Sequence, residues 1–560
     1  MNKFILRKGY LVLALVLTLM FSGIAVGQMP VAQLPKVTID TTYNLPSGGT
    51  TWAAHTPAQL SSAIKTAQPG DVIVLDAGVT YSGYFQLPAK SNPNNQWIYI
   101  VSSAIAKLPA GQRVKPSDAA NMPKIVTPNT AAAFQVNGGA NHWRLVGLEL
   151  TSASTYVPKP TISPNGYTYF LVGSQSLPTP MPDSITIDRC YIHGSPTQDI
   201  VTGVQGTASN YAVVDSYISD IHAPNQDSQA FGAYDTPGPI KLVNNYLEAA
   251  GENVMFGGSG GNNNRGVPSD IEIRNNYLFK PLSWVSLTTA PVNQWFEKNA
   301  FECKSCQRVL FDGNTIENVW AASQAGYAIV LTVRTSQSGD FAVVNDITIT
   351  NNVLKNVVAG VNTLAKDDTC GAAGGYPNCK NAGSQDRWNI ANNLVLFYDP
   401  TIAGGSRNVG IGFQPGLDRI NNTAGMLRDV VFQHNTLIPA ASGPCWNAIY
   451  FGAGSQKPPF TNLTSNIWIL DNDLCRQPTG DFGYQGTAAL NQYMGTPGPV
   501  DTRFRGNVMY VPAGDKVQTF PTHNYASTVP FTYVAPQSGD YHLATPYWTD
   551  TSDGKLAGIN

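Results

Sequence analysis

Short runs of alternating apolar and polar residues, each closing on a polar pair that ends in Asn, recur along most of the chain. The run reads Ile240-Lys241-Leu242-Val243-Asn244-Asn245-Tyr246-Leu247, then Ile271-Glu272-Ile273-Arg274-Asn275-Asn276-Tyr277-Leu278. It returns from Val309 to Ile316, Ile347 to Leu354 and Val430 to Leu437, with Asn314, Asn352 and Asn435 at the same place. Less regular copies centre on Cys190, Ser216, Asn393, Asn472 and Asn507, so successive centres lie 26, 29, 31, 38, 38, 41, 42, 37 and 35 residues apart. Period-two alternation rich in β-branched residues predicts strands, and the helical period is missing. A repeat made only of strands buries its apolar face by stacking on its neighbours. The expected class is therefore all-β, a right-handed parallel β-helix. Propeller blades also repeat at about 40 residues, but each needs four strands, and intervals of 26 to 31 residues leave no room for them. Asn at one fixed place predicts an amide ladder, with Asn245, Asn276, Asn314 and Asn352 in one column at a spacing of about 4.8 Å.

The amino end supplies a cap for the first coil. Thr56 is suited to N-cap and Pro57 to N1, and Leu60, Ala63, Ile64 and Ala67 form one face of a short helix. Pro69-Gly70-Asp71 then turns into an apolar strand, Val72 to Leu75, followed by Gly78-Val79-Thr80-Tyr81-Ser82-Gly83. This order resembles the start of pectate-lyase-like β-helix proteins, and the stretch from Gly539 to Gly554 resembles their closing segment. The expectation is one domain over residues 28–560, with a cap near 50–70, coils near 71–510 and a closing segment near 511–560.

Residues 1–27 read as a secretory signal peptide: Lys3, Arg7 and Lys8 precede an uncharged run from Gly9 to Phe21 and the small-x-small triplet Ala25-Val26-Gly27. That run is shorter than the roughly 20 residues of a bilayer span, so the expected product is exported, extracellular or periplasmic, and does not span a membrane. Without this leader, 31 Lys and Arg face 36 Asp and Glu, a formal charge of −5, which argues against a nucleic-acid partner. No glycine-rich phosphate loop stands between a strand and a helix, so no nucleotide is expected. All seven cysteines follow the leader, where oxidation is possible. Cys370 and Cys379 bracket a Gly-rich loop and form the expected disulfide, Cys303 reads as a core thiol, and one cysteine must stay unpaired.

A second strand follows each Asn motif, as in Glu252 to Gly257, Glu297 to Ser305 and Ala328 to Arg334. With Phe301 and Cys303 pointing inward, alternation sends Glu302 and Lys304 outward. Placing Leu331 and Val333 in the same inner stacks sends Thr332 and Arg334 outward too. Lys304 and Arg334 are then expected on adjacent coils, about 4.8 Å apart, with Glu297 and Asn299 alongside. Such a group suits β-elimination from a uronate. The C5 proton is acidic enough only when the neighbouring carboxylate is neutralised, which a hard cation with oxygen ligands can do. The base must be partly neutral, and a guanidinium beside a lysine favours its neutral form.

The same residues resemble the alginate lyase and chondroitinase B family, polysaccharide lyase family 6. The matching elements are Gly251-Glu252, the stretch from Glu297 to Lys304-Ser305, and Leu331-Thr332-Val333-Arg334. The resemblance implies an acidic polysaccharide as substrate, Lys304 as general base, Arg334 as its catalytic partner, and calcium held with help from Glu297 and Asn299. Glu302, Arg274 and Lys280 are the expected substrate contacts. Thr335-Ser336 stand where the family has His-Gly, and Glu297-Lys298-Asn299 replaces a Glu-x-Glu pair, losing a carboxylate and adding a cation.

Plainer readings exist. Lys304, Arg334 and Glu302 can form a solvated ion-pair ladder worth roughly 0–1 kcal/mol. Trp284, Trp295 and Trp320 can stack sugars or fill a core. A glycoside hydrolase on the same scaffold needs two facing carboxylates, for which Asp312, Asp346 and Glu317 are candidates, and a noncatalytic glycan-binding solenoid needs neither. The order of expectation is lyase, binding module, hydrolase.

Overall fold

The computed structural model describes residues 29–128, 131–153, 168–172, 180–224, 226–234, 236–258, 266–285, 295–333, 342–364, 385–398, 410–416, 427–440, 445–452, 464–480, 484–494 and 500–560. The leader, Arg334 and the Cys370/Cys379 pair lie outside them. Strands stack into three long parallel sheets of 14, 12 and 14 strands, the chain visiting each sheet in turn as it climbs. The fold is a right-handed parallel β-helix, the hand that parallel crossover connections take almost without exception. The first sheet begins at Thr51–Ala54, the second at Phe85–Leu87 and the third at Thr80–Ser82. Within the second sheet, Val204, Phe231, Val254, Phe301, Ile329, Val361 and Phe413 stand in register and fill the interior.

The cap forms as expected. Helix Pro57–Thr66 starts at Thr56, whose hydroxyl accepts from the Gln59 amide, and Leu60, Ala63, Ile64 and Ala67 are buried on the first coil. At the other end a short antiparallel pair, Tyr533–Ala535 with Asp540–Leu543, closes the stack. The tail is clasped to it: Asp471 accepts from the Ser552 amide at 2.7 Å, and His434 Nε2 lies 3.1 Å from Asp553. Among the described residues, no helix is long and apolar enough to cross a membrane.

The predicted amide column is present and longer than the sequence suggested. The backbone N–H of Asn245 donates to the side-chain oxygen of Asn276 at 2.9 Å, Asn276 to Asn314 at 2.9 Å, and Asn314 to Asn352 at 2.8 Å. The ladder continues through Asn393, Asn435, Asn472 and Asn507 to Asn524. Below Asn245 it runs through Ser216 to the amide of Cys190. Each amide nitrogen also donates to a carbonyl at the end of the preceding coil's strand, as Asn314 does to Ile273.

Two disulfides form among the described residues, Cys303–Cys306 and Cys445–Cys475. The first corrects the reading of Cys303 as a core thiol. Cys303 ends a strand of the second sheet and Cys306 opens one of the first, so the bend at Lys304-Ser305 brings their Cα atoms to 6.2 Å. Among the described residues, Cys190 is the free thiol, and it is buried.

The outer faces of the sheets differ. Along the first sheet runs the amino-terminal segment: Gln33 and Lys36 donate amide hydrogens to Asp346 and Asp270, and Arg144 donates to the carbonyls of Thr41 and Thr42. Beside it, Asp270–Arg308 and Asp346–Arg387 pair between coils. The third sheet carries stacked rings, with Tyr217 and Tyr246 at 4.0 Å between centroids. The second sheet carries acids, amides and lysines.

Because a buried donor without a partner costs about 1–3 kcal/mol, Asn314→Ala, which strips acceptors from Asn276 and a donor from Ile273, is expected to lower stability by about 2–4 kcal/mol. The exposed Lys355→Ala, which removes a surface ion pair with Glu317, should cost less than about 1 kcal/mol. Urea denaturation of the two variants checks this, and equal losses would count against the ladder as a stabilising element.

Candidate functional site

On the outward face of the second sheet two polar columns run beside each other. Thr202, Gln229 and Glu252 are neighbours in register in one, and Gln205, Gly232, Met255, Glu302 and Val330 in the other. Thr168 donates to Gln205 at 2.8 Å, Tyr234 to Gln229 at 3.0 Å, and Gln229 to Glu252 at 2.8 Å. Asn299 stands two residues before Phe301, as Glu252 stands two before its partner Val254, and donates to Glu302 at 3.2 Å.

The columns converge on Lys298. Its ammonium donates to Glu252, lies 2.9 Å from Asp227 Oδ2 and 3.6 Å from Glu302 Oε2. Lys304 Nζ lies 3.6 Å from the other Glu302 oxygen. Five ionisable groups thus share a patch in which Lys298 is nearly enclosed, at 5% side-chain exposure, while Lys304 is reachable at 14%. Lys304 is seated on Gly257 and Gly258, both with positive φ. A Cβ at Gly258 would come within 2.5 Å of the lysine Cδ, and one at Gly257 within 2.4 Å of the Ser305 nitrogen.

Burial sets the electrostatics, and the lysines divide the carboxyls. Burial would raise Glu252, but the charges of Lys298 and then Lys304 hold it well below the ordinary range. Burial, then the Glu252 charge, push Glu302 up to about 7 against the pull of both lysines. Glu302 is the member that keeps a proton, shared with Glu252 through a hydrogen bond. Burial works against the charge on Lys298, yet Glu252, Glu302 and Asp227 raise it above an ordinary lysine.

The structure brings Lys304, Glu302 and Asn299 together and separates the other candidates from them. Glu297 is fully buried, both carboxyl oxygens lack a hydrogen-bond partner, and it faces Lys280 at 3.6 Å. Burial pushes the Glu297 carboxyl up to about 8 and the Lys280 ammonium down to about 8. Lys280 donates to the carbonyls of Ala249, Ala250 and Gly251, so it braces the corner before Glu252 and does not reach the groove. Arg274 sits on the first sheet, 3.4 Å from Asp312, on a different face from Lys304. The register pairs Cys303 with Leu331, which corrects the expected stacking of Cys303 with Val333; Arg334 lies outside the described residues. The three tryptophans are buried with Tyr327 and Val358, and Trp295 lies on the His222 ring at 3.8 Å, so they fill a core. Asp312, Asp346 and Glu317 do not converge, since the first two pair with Arg274 and Arg387 and the third takes the Tyr277 hydroxyl.

Sequence reasoning missed Asp227, Gln229, Tyr234 and the central place of Lys298. The signal for Lys298 was present in the cation inserted between Glu297 and Asn299. Asp227 and Gln229 come from a coil without a regular Asn motif, where no spacing pointed to them. The calcium that the resemblance implies does not fit Glu297 as folded, because that carboxyl is paired with Lys280 in the interior.

No protein-family model matches the chain, and no curated protein matches it. Solved structures do. An alginate lyase from Paenibacillus sp. str. FPU-7 is 15% identical over 74% of this chain and 97% of its own, with a TM-score of 0.30. The alginate lyase AlyGC of the PL6 family is 11% identical over 91% of this chain and 58% of its own, with a TM-score of 0.46. A family 28 exopolygalacturonase from Yersinia enterocolitica is 12% identical over 84% of this chain and 75% of its own, with a TM-score of 0.41.

A carboxyl whose folded pKa is raised confers stability that is complete below its unfolded value of about 4.3. For Glu302 that stability declines as the pH rises and is gone above about 7. Glu302→Gln keeps the shape and cannot ionise. The parent is therefore expected to lose stability relative to this variant between about pH 4.3 and about 7. Denaturation curves across that window check it, and parallel profiles would contradict a buried, proton-holding Glu302.

Proposed function

We propose that this chain is a polysaccharide lyase that cleaves an acidic, uronate-containing glycan by β-elimination, with Lys304 as the base. The observation that supports this most is the placement of Lys304. It is the more reachable of the two ammonium groups of the acid and lysine patch, on the sheet face lined with side-chain amides and hydroxyls. The Lys304 side chain takes the C5 proton of the uronate. The freed electron pair forms the C4=C5 double bond, the C4–O bond to the preceding sugar breaks, and the departing oxygen takes its proton from water or from the ammonium just formed at Lys304. Glu302 flanks that position, with Asn299 bonded to it, and Glu302 is a hydrogen-bond donor while it holds its proton.

A hydrolase is the second reading, favoured by one feature: a carboxyl that titrates near neutrality beside one that stays ionised. Against it, Glu302 and Glu252 hydrogen-bond to each other, whereas glycosidase carboxyls stand about 5–10 Å apart with substrate between them.

The test is incubation with alginate, pectate and chondroitin-type glycans while following the ultraviolet absorbance of an unsaturated uronate. Lys304→Ala is expected to lower turnover on the responding glycan at least about a hundredfold, the scale of a lost general base, with binding intact because the proton moves only in the transition state. Near-normal turnover by Lys304→Ala would remove Lys304 from this role. Sugar release without absorbance would favour the hydrolase.

A further inference from the structure

The end of the chain folds back over the last coils, where the Gly558 amide donates to the Asp471 carbonyl at 2.8 Å and the Ile559 amide to the Thr436 hydroxyl at 2.9 Å. Under this tail an imidazole and two carboxyls meet. Among the described residues, His434, Asp471 and Asp553 are the group whose ligand atoms, all within 4.8 Å of one another, can share one metal ion. Asp471 is fully enclosed and firmly held: Oδ1 accepts from the Ser552 amide at 2.7 Å, and Oδ2 from the Ser552 hydroxyl and, at 3.3 Å, from Gln433. His434, at 9% side-chain exposure, has its Nδ1 3.1 Å from the Gly558 carbonyl. A carbonyl can accept and cannot donate, so the ring hydrogen lies on Nδ1. The Asn560 side-chain amide, 2.7 Å from the same nitrogen, accepts there as well when its oxygen faces the ring. Nε2 is left with a lone pair, aimed at Asp553 Oδ2 at 3.1 Å and Asp471 Oδ2 at 3.8 Å. Three electron-pair donors facing one another need a positive charge between them. A second ring proton points along one line, to Asp553, whereas an ion at the centre reaches all three.

We propose that His434 Nε2, Asp471 Oδ2 and Asp553 Oδ2 bind one divalent ion of the zinc class, and that the ion locks the closing tail onto the last coils. Zinc takes nitrogen and carboxylate oxygen at about 2.0–2.2 Å in a tetrahedron, which sets neighbouring donors about 3.3–3.6 Å apart. The separations of 3.1 and 3.8 Å from Nε2 lie on either side of that. A histidine whose other ring nitrogen donates to a backbone carbonyl is the usual arrangement of a metal ligand. Two carboxylates and an uncharged ring also match the charge of the ion. Asp553, at 32% side-chain exposure, leaves an entry path and room for water as fourth ligand, and the Lys555 ammonium 3.8 Å from it is exposed and free to swing aside. His434 and Asp471 belong to successive coils and Asp553 to the tail, so the ion is a cross-link. It stands at the corner between the first and third sheets, away from the groove on the second, and its role does not depend on any glycan.

The experiment uses the full chain without an affinity tag, stripped with a chelator, in calorimetric titration with zinc chloride and in thermal melts with and without the ion. The parent is expected to bind zinc at this site, with its melting midpoint raised by the ion and lowered again by chelator. Asp553→Asn keeps the shape and the oxygen that accepts from the Lys555 amide, and it should weaken zinc binding at least about tenfold. His434→Gln should do the same. Asp550→Asn alters the exposed pair with His523 in the same tail and should leave zinc binding unchanged. Should His434→Gln be recovered only unfolded, Asp553→Asn decides alone, since its side chain is at the surface. A parent that takes up no zinc overturns the proposal. So does uptake that survives Asp553→Asn, or that falls with Asp550→Asn instead. A melting midpoint that bound zinc does not raise overturns the lock.

Discussion

From Cys190 onward, each coil is tied to the next by a side-chain oxygen, of Ser216 at the first step and of asparagine at the others, that accepts the backbone N–H of the coil below. From Cys190 to Asn524 this chain of bonds is unbroken. A slip of one residue in a strand would turn every side chain to the opposite face, and the ladder forbids it by fixing the turn that precedes each strand of the third sheet. That register carries round the coil. It sets Phe301 over Val254 in the interior and Met255 beside Glu302 outside, and so decides which charges meet in the groove.

The patch on the second sheet is a balance between burial and charge. Glu252, Glu302 and Lys298 are placed where water solvates them poorly, which is costly for an unpaired ion and tolerable for a group that neutralises itself. Lys298 holds the ionised Glu252, Glu302 keeps a proton, and Lys304 at the margin keeps contact with solvent. Behind the patch, Lys280 ties down three successive carbonyls at the corner leading into Glu252 and faces Glu297 in the interior. The groove face is thus held from beneath by a second pair of opposite charges, and the glycine pair at Gly257 and Gly258 leaves room for Lys304 above.

The coils and the amide column were legible in the sequence because one asparagine per coil repeats against a period-two background, and the cap was legible from Thr56-Pro57 and the apolar spacing after it. The outward direction of Glu302 and Lys304 followed from alternation. Alternation stops at corners, and there the reading went astray. Lys280 follows Phe279 just after a strand ends, where the chain bends and carries its side chain inside. Cys303 and Cys306 lie on either side of another bend, so a spacing that resembled a lone core thiol became a bridge. The register of Cys303 with Leu331 depended on how many residues the turns of the coil between them absorb, a quantity that strand pattern does not contain.

Elimination and hydrolysis differ by one molecule of water, and that difference tests the reading of this groove most directly. The measurement is mass spectrometry of the oligosaccharides released from a uronate-containing glycan in water enriched in heavy oxygen. If Lys304 acts as the base of an elimination, the products carry an unsaturated non-reducing end and take up no heavy oxygen at the bond broken. Saturated products, each carrying one heavy oxygen from solvent at that bond, would contradict it.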